Sequence, residues 1–171
     1  MQLTDEQVMI AEMVGSFSKD QLRPNASKWD REAFLDRSVL KAMAELGFAG
    51  IYTTEEHGGS GLTRLDAVLI FEQLSRGCIS HASFLSIHNM ATWMIDTFGH
   101  DELRAKYVPD FTQANKIVSY CLTEPSAGSD AASLKTRADK DGNDYVLNGA
   151  KVFISGGGFS DAYLVMARTS D

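Results

Sequence analysis

The pattern of hydrophobic and polar positions changes character near residue 115 of the 171-residue chain. Before that point, apolar residues recur mostly at intervals of three and four, which is the spacing of one face of an amphipathic helix. Beyond it, short apolar runs follow one another at close spacing and are separated by turn residues, a pattern typical of strands. The pattern predicts an α-helical N-terminal domain over residues 1–115 and a β-domain over residues 116–171.

Three helix starts are indicated by capping signatures. Thr4 with Gln7, and Thr63 with Asp66, place a hydroxyl and a polar side chain three residues apart, as in a capping box. Asp36 precedes a second apolar stripe and is a favoured N-cap residue. The sequence therefore predicts helices that begin just after residues 4, 36 and 63.

Helix ends are indicated by proline and glycine. Pro24 is expected to end or bend the first helix, and Gly47 is a plausible residue for the left-handed end of the second. Gly99 is expected to end a long apolar helix, and Pro109 to interrupt the short helix that follows. Each of these expectations concerns a single backbone position.

The segment Ser80–Phe98 is apolar around most of its helical circumference, which predicts an interior helix. It contains His81, His88 and Asn89, which would then be buried polar groups in need of hydrogen bonds. We interpret them as satisfied core residues rather than ligands. A pocket lined by this helix is also expected, because binding sites are mostly apolar with few polar groups.

The run TTEEHGGSGL, residues 53–62, has three glycines in four positions. Such a loop could cradle a phosphate, but the Lys-Ser or Lys-Thr pair of a P-loop does not follow it, and no clear strand precedes it. We favour a turn that links two helices.

The strand region predicts an antiparallel meander. Asp141-Gly142 and Asn148-Gly149 lie between apolar runs and suit type I′ hairpin turns. The run Val152–Ser155 alternates, so that Phe153 and Ser155 would share one face of a strand. Four or five strands are few for a barrel, and the pattern is still running at residue 171. The fold class expected is α+β, a helical bundle followed by an antiparallel sheet or barrel that is incomplete in this chain.

Composition and charge limit the kinds of partner and the location that can be expected for the protein. A net charge of −7 and a pI near 5.0 argue against nucleic acid. No apolar stretch is long enough to predict a membrane span, and no leader or transit peptide is recognisable. Cys78 and Cys121 stand far apart without metal-ligand spacing and are expected to be reduced, buried thiols. A bacterial cytoplasm or a mitochondrial matrix is the expected location.

The most unusual run is YCLTEPSAGSD, from Tyr120 to Asp130. A strand enters it, Pro125 stops the strand, and Gly128 permits a tight turn, so unpaired backbone groups and hydroxyls are concentrated at a strand end. Such a corner suits a flat polar heterocycle better than a metal, for which Glu124 and Asp130 are too few ligands. A serine nucleophile would need an elbow motif that the sequence lacks. A polar turn without any ligand stays open.

The same residues resemble a known family. CLTEPSAGSDAAS, from Cys121 to Ser133, is similar to the signature of the acyl-CoA dehydrogenases. EEHGGSGL and LNGAKVFISGGG also resemble runs of that family, and the order of a helical region before a β region agrees with its members. The chain is identified as a member of this family, and SIHNMATWMIDTFG resembles its short branched-chain type.

The resemblance implies FAD as the cofactor and α,β-dehydrogenation of a short, isobutyryl-like acyl-CoA thioester. It implies an electron-transfer flavoprotein as the partner and a homotetramer as the assembly. It also implies a set of cofactor-binding residues: Tyr120, Cys121, Leu122, Thr123, Glu124, Gly128, Ser129, Phe153, Ile154 and Ser155.

Individual roles within that set are implied as well. The Leu122 backbone and the Thr123 hydroxyl would meet the polar edge of the flavin, and Phe153 would lie against a face of its ring. Ser155 would bond near the flavin N5, and Ser129 would also contact the CoA portion of the substrate.

No catalytic residue is expected in this chain. Members of the family carry their glutamate base in a C-terminal helical domain, beyond residue 171, and Glu124 does not correspond to it. Two alternatives remain beside the dehydrogenase. One is an acyl-CoA oxidase-like relative, and the other is a noncatalytic scaffold that binds flavin or acyl-CoA.

Overall fold

The computed structural model describes residues 2–170, which form two compact units that meet in sequence between Ile117 and Val118. The helices of the first unit are α1 (Asp5–Phe17), α2 (Ala26–Glu32), α3 (Arg37–Glu45), α4 (Arg64–Gly77), α5 (Ile79–Phe98) and α6 (Asp101–Thr112). The strands of the second are β1 (Val118–Cys121), β2 (Arg137–Asp141), β3 (Asp144–Asn148) and β4 (Ala162–Val165). A helical region followed by a small sheet confirms the predicted fold class.

The three predicted helix starts are confirmed. Thr4 and Gln7 form a reciprocal capping box at α1, with both hydrogen bonds 3.2 Å long. Thr63 and Asp66 form the equivalent box at α4, and Asp36 caps α3. The side-chain amide of Gln7 also donates to Asp66 at 2.9 Å, so the two capping boxes are joined. Hydrogen bonds from Thr63 and Gln7 hold the pKa of Asp66 below its ordinary value.

One of the two proline expectations is confirmed and the other needs correction. After α1 the chain continues as one π-helical turn over Ser18–Leu22, and this helical segment ends just before Pro24, as expected. Beyond the proline, α2 begins at Ala26, a helix the sequence pattern did not reveal. Pro109 does not interrupt α6, which runs on to Thr112. Val108 and Phe111 are almost completely buried, and only the last turn follows the proline, so packing outweighs the loss of one backbone donor.

Asn89 shows how the interior helix α5 fastens the segment after α3. Its side-chain oxygen accepts from Ile51 N at 2.8 Å, and its amide nitrogen donates to Phe48 O at 2.7 Å and Leu85 O at 3.0 Å. The residue is fully buried. Because an unpaired buried amide is costly, these three bonds fix the register of α5 against the neighbouring turn.

The two histidines of α5 are buried and bonded, as predicted. His88 lies 2.9 Å through Nε2 from Phe111 O. His81 accepts from Asp36 N at 3.2 Å through Nε2, and its Nδ1 lies 3.2 Å from the Cys78 thiol. Burial lowers the pKa of His81, which keeps the ring neutral.

The glycine-rich loop is a helix-linking turn. The N–H groups of Gly58, Gly59, Ser60 and Gly61 donate to backbone carbonyls between residues 50 and 55 at 2.8–3.0 Å, so they are used within the loop. Gly58 and Gly61 have positive φ angles, 83° and 60°. These bonds support the interpretation of a turn over that of a phosphate cradle.

Asp96 of α5 secures the start of this loop. Its carboxylate accepts from Thr54 N at 3.0 Å and lies 2.8 Å from His57 Nδ1. Asp96 is buried, with 4% of its surface exposed. The loop is therefore tied to α5 by side-chain as well as backbone hydrogen bonds.

The strands pair differently from the predicted meander. β2 and β3 form an antiparallel hairpin, but β1 pairs with β4 in parallel, with Val118 opposite Ala162 and Cys121 opposite Val165. Within the described residues the two pairs are separate two-stranded sheets. The local pattern marks strands, but it does not specify which strand lies beside β1.

Two local details of the strand region also differ. Asp141 pairs with Asp144, so the hairpin turn consists of Gly142 and Asn143, one residue later than predicted. No strand follows Asn148-Gly149 directly. The chain passes so close to Thr136 at this point that a Cβ on Gly149 would lie 2.4 Å from the Thr136 hydroxyl oxygen. This glycine allows the two chain segments at Gly149 and Thr136 to pack closely, and it does not form a hairpin turn.

Both cysteines are free and buried, as the sequence predicted. Burial raises the pKa of the Cys121 thiol, which keeps it protonated. Across residues 2–170, no helix has the length and apolar character that a bilayer crossing requires.

Candidate functional site

The candidate site lies where β1 ends. After Cys121 the chain leaves the strand and closes a tight turn from Glu124 to Ala127, with Glu124 N donating to Ala127 O at 2.9 Å. Pro125 and Ser126 form the tip of this turn. Gly128 lies just beyond this turn, in an exposed bend over Gly128 and Ser129. We refer to Leu122 and Thr123 as the corner.

The carboxylate of Glu124 is engaged inside the unit. It accepts from Lys151 Nζ at 2.8 Å, Lys135 N at 2.6 Å and Thr136 N at 2.9 Å. The residue is 5% exposed. The Lys151 ammonium, with help from these amide groups, holds the pKa of Glu124 far below its usual range. A carboxylate that is paired and held ionised in this way is unsuited to act as a general base.

Lys151 connects two distant stretches of chain. Besides Glu124, its ammonium donates to Leu122 O at 2.8 Å, and Val152 N donates to Thr123 O at 2.9 Å. The segment from residue 151 to residue 155 therefore runs beside the corner. Sequence reasoning gave Lys151 no role. A lone cation in the otherwise apolar run AKVFIS was the available signal, since a half-buried ammonium requires a partner.

The corner presents hydrogen-bond donors. The carbonyls of Leu122 and Thr123 are occupied by Lys151 and Val152. Within the part of the chain that the structure describes, the N–H groups of Leu122 and Thr123 and the Thr123 hydroxyl have no hydrogen-bond partner. Such an arrangement fits a ligand edge that carries acceptors, such as ring carbonyls or unprotonated ring nitrogens.

Phe153 has a strained backbone and an exposed ring. Its φ angle is 56° and its surface is 94% exposed. The predicted alternation of Val152–Ser155 is wrong, because this segment is not a strand. Bulky residues rarely adopt positive φ, and such outliers concentrate at functional sites. An apolar ring held in water by an unfavourable backbone is well placed to cover a flat ligand.

The other predicted site residues are spread over several environments. Tyr120 is half-buried in β1, and Cys121 is buried there. Ile154 and Ser155 are half-buried, and Ser155 O accepts from the Ser119 hydroxyl at 2.5 Å, which fixes the far end of the segment to β1. The structure thus brings residues 151–155 to the strand that carries Tyr120.

Ser129 lies outside this cluster. It is exposed and follows the Glu124–Ala127 turn, just before a short helical turn at Ala131–Ser133. Arg168 holds that helical turn by donating to Ala132 O and Leu134 O, both at 2.7 Å. No grouping of three or more His, Cys, Asp or Glu side chains suited to a metal occurs in residues 2–170.

Comparison with known proteins gives a consistent result. The family model "Acyl-CoA dehydrogenase, N-terminal domain" matches residues 4–115, and "Acyl-CoA dehydrogenase, middle domain" matches residues 119–171. Mitochondrial isobutyryl-CoA dehydrogenases are similar over nearly the whole chain. The protein from Dictyostelium discoideum is 52% identical over 167 residues, 98% of this chain and 40% of that protein. The one from Bos taurus is 44% identical over 169 residues, 99% of this chain and 41% of that protein.

A solved structure shows the same fold. The crystal structure of a glutaryl-CoA dehydrogenase from Mycobacterium smegmatis in complex with FADH2 matches with a TM-score of 0.94 and 30% identity. The match covers 99% of this chain and 44% of that one. The chain spans about two fifths of the length of the curated relatives it matches.

The first prediction concerns pH and Glu124. Because the pKa of this carboxyl is lowered from 4.5, its contribution to stability is complete above pH 4.5 and is lost as pH falls further. Glu124→Gln should lower the folding equilibrium constant at pH 7 by at least about tenfold, since Lys151 loses its counterion. Urea unfolding of the unaltered protein and of Glu124→Gln should show that the difference in their free energies of unfolding becomes smaller toward pH 3.

Glu72→Gln is the matched control, since Glu72 forms an exposed pair with Arg76 on α4. The free energy of unfolding of that variant should equal that of the unaltered protein at pH 7 and at pH 3. A Glu124→Gln difference that is equally large at pH 7 and pH 3 would contradict the lowered pKa.

The second prediction concerns the strain at Phe153. Phe153→Gly should raise the free energy of unfolding of the cofactor-free protein by about 1 kcal/mol, because glycine accepts positive φ and little packing is lost. Phe153→Ala also removes the ring but keeps a Cβ, so it should give no gain. Equal stabilities of the two variants in urea unfolding would show that the backbone is not strained.

Proposed function

The chain belongs to the acyl-CoA dehydrogenase family, and we propose on that basis that the whole protein is an FAD-dependent dehydrogenase of short acyl-CoA thioesters. FAD would accept the two electrons released when the acyl group is oxidised between Cα and Cβ. The similarity to isobutyryl-CoA dehydrogenases supports a short branched acyl group as the substrate.

The donor-rich corner is the observation that carries this proposal. Unpaired N–H groups at Leu122 and Thr123, with the Thr123 hydroxyl, complement the carbonyl and nitrogen acceptors along the pyrimidine edge of a flavin. Phe153 supplies an exposed aromatic face beside the corner, and the Ser155 hydroxyl lies on the same segment. The residues present therefore fit a flavin.

The roles of the chain's own residues follow from this fit. Leu122 and Thr123 orient the polar edge of the cofactor, and Phe153 covers a ring face and excludes water from it. Tyr120 and Ser155 bound the site along β1 and the 151–155 segment. Ser129, exposed beyond the turn, is proposed to contact the CoA portion of the substrate.

The proton acceptor is proposed to come from another part of the protein. Glu124 is excluded because its carboxylate is paired with Lys151 and stays ionised. A general base needs a pKa near the operating pH, which requires a less well-paired carboxylate. We further propose an electron-transfer flavoprotein as the electron acceptor, a homotetramer as the assembly, and a bacterial cytoplasm or mitochondrial matrix as the location.

A spectroscopic experiment tests the activity. The purified full-length protein should be yellow, and isobutyryl-CoA added in the absence of oxygen should bleach its visible absorbance. A colourless protein that does not take up FAD would refute the flavin proposal. A yellow protein that no short acyl-CoA bleaches would indicate a scaffold, and rapid reoxidation by air with peroxide formation would indicate an oxidase.

Thr123→Ala tests the corner itself. Loss of one hydroxyl donor should weaken FAD retention by about tenfold, on the order of one hydrogen bond to a charged or strongly polar acceptor. Ser126→Ala is the matched control, since Ser126 is an exposed hydroxyl at the tip of the adjacent turn. Ultrafiltration and visible absorbance measure the retained flavin. Equal retention by both variants would remove Thr123 from the site.

A further inference from the structure

We propose that Lys151 strengthens the Thr123 N–H as a donor to the bound flavin by acting through the peptide group between Leu122 and Thr123. Glu124 holds the lysine in place and offsets its charge. Both are positioning residues, because neither is placed against the cofactor. The inference rests on the proposed function and adds to it a means of setting the flavin's reduction potential.

The geometry of one peptide group carries the argument. Lys151 Nζ donates to Leu122 O at 2.8 Å, and the N–H at the other end of that same peptide belongs to Thr123. A charge-assisted bond to a carbonyl polarises the amide and makes its N–H a better donor, as in chains of hydrogen bonds. The charge of Lys151 therefore reaches the ligand side of the corner without direct contact.

The neighbouring peptide completes the arrangement. Thr123 O accepts from Val152 N at 2.9 Å, so neither carbonyl of the corner remains to repel an acceptor. A corner made only of donors favours the ligand form with more negative charge on the facing edge. For a flavin that form is the reduced one, since its pyrimidine edge becomes anionic. Binding the reduced form better raises the reduction potential.

Burial keeps the two charges from being screened. The side chain of Lys151 is 11% exposed and that of Glu124 is 4% exposed. Charges in such surroundings act over longer distances than exposed ones. Removing the carboxylate leaves a net positive charge behind the corner, whereas removing the ammonium leaves a net negative charge. The two changes should affect the potential in opposite directions.

The experiment compares three variants of the full-length, FAD-loaded protein. Glu124→Gln should raise the flavin midpoint potential, and Lys151→Met should lower it. Each shift should correspond to about a tenfold change in the ratio of affinities for reduced and oxidised FAD, which is ~30 mV for a two-electron couple. The midpoint potential of the double variant should be lower than that of the unaltered protein and higher than that of Lys151→Met.

Matched controls remove equal charges elsewhere. Glu72→Gln and Lys116→Met alter exposed ion pairs in the helical unit and should leave the potential unchanged. A merely structural role of the buried pair would move both single variants in the same direction. Shifts of equal sign, or no shift, would overturn the electrostatic part of the inference.

Hydrogen exchange tests the positioning part without the cofactor. In the FAD-free protein, each single variant and the double variant should exchange the Val152 amide at least about tenfold faster, because its bond to Thr123 O is no longer held in place. The double variant has neither buried charge and stays measurable if a single variant fails to fold. Unchanged exchange of the Val152 amide in the double variant would overturn the positioning role. If the unaltered full-length protein cannot bind FAD, the proposed function and the effect on the reduction potential are both refuted.

Discussion

The ion pair between Glu124 and Lys151 determines the arrangement of the candidate site. Through it, two stretches of chain that are 27 residues apart meet at the end of β1. The pair also decides the chemistry of the corner, because the lysine occupies one of its carbonyls and brings Val152 to the other. A buried ion pair is weak support for stability in general. Its value here is the single arrangement of backbone donors that it maintains.

The helical unit uses buried polar side chains in a comparable way. Asn89 and Asp96, both on α5, bind backbone groups of Ile51 and Thr54 in the connection between α3 and α4. These contacts fasten an irregular, glycine-rich segment to a rigid helix. The polar residues in the most apolar helix of the chain are thus explained by the loops that depend on them, with no ligand required.

Much of the helical unit could be predicted from local sequence, because a cap is decided by residues three positions apart. Thr4 with Gln7 and Thr63 with Asp66 are of this kind. The motif marks the candidate site in the sequence, but it does not reveal the geometry of that site. The partners of Glu124 lie 11 to 27 residues away, and the left-handed backbone of Phe153 contradicts local propensity. Long-range contacts and strained positions leave no periodic signal, so the sequence pattern neither assigns Lys151 a role nor shows that residues 151–155 are not a strand.

The parallel pairing of β1 with β4 has a consequence for the order of folding. Val118 and Ala162, which face each other, are 44 residues apart (162 − 118), and both stretches that meet at the corner lie within that interval. Closing a long loop costs entropy before any contact repays it, and non-local pairings slow folding. The contacts of the corner also close a long interval, 27 residues between Glu124 and Lys151, so the capacity to bind a ligand there arises only when non-local contacts have formed.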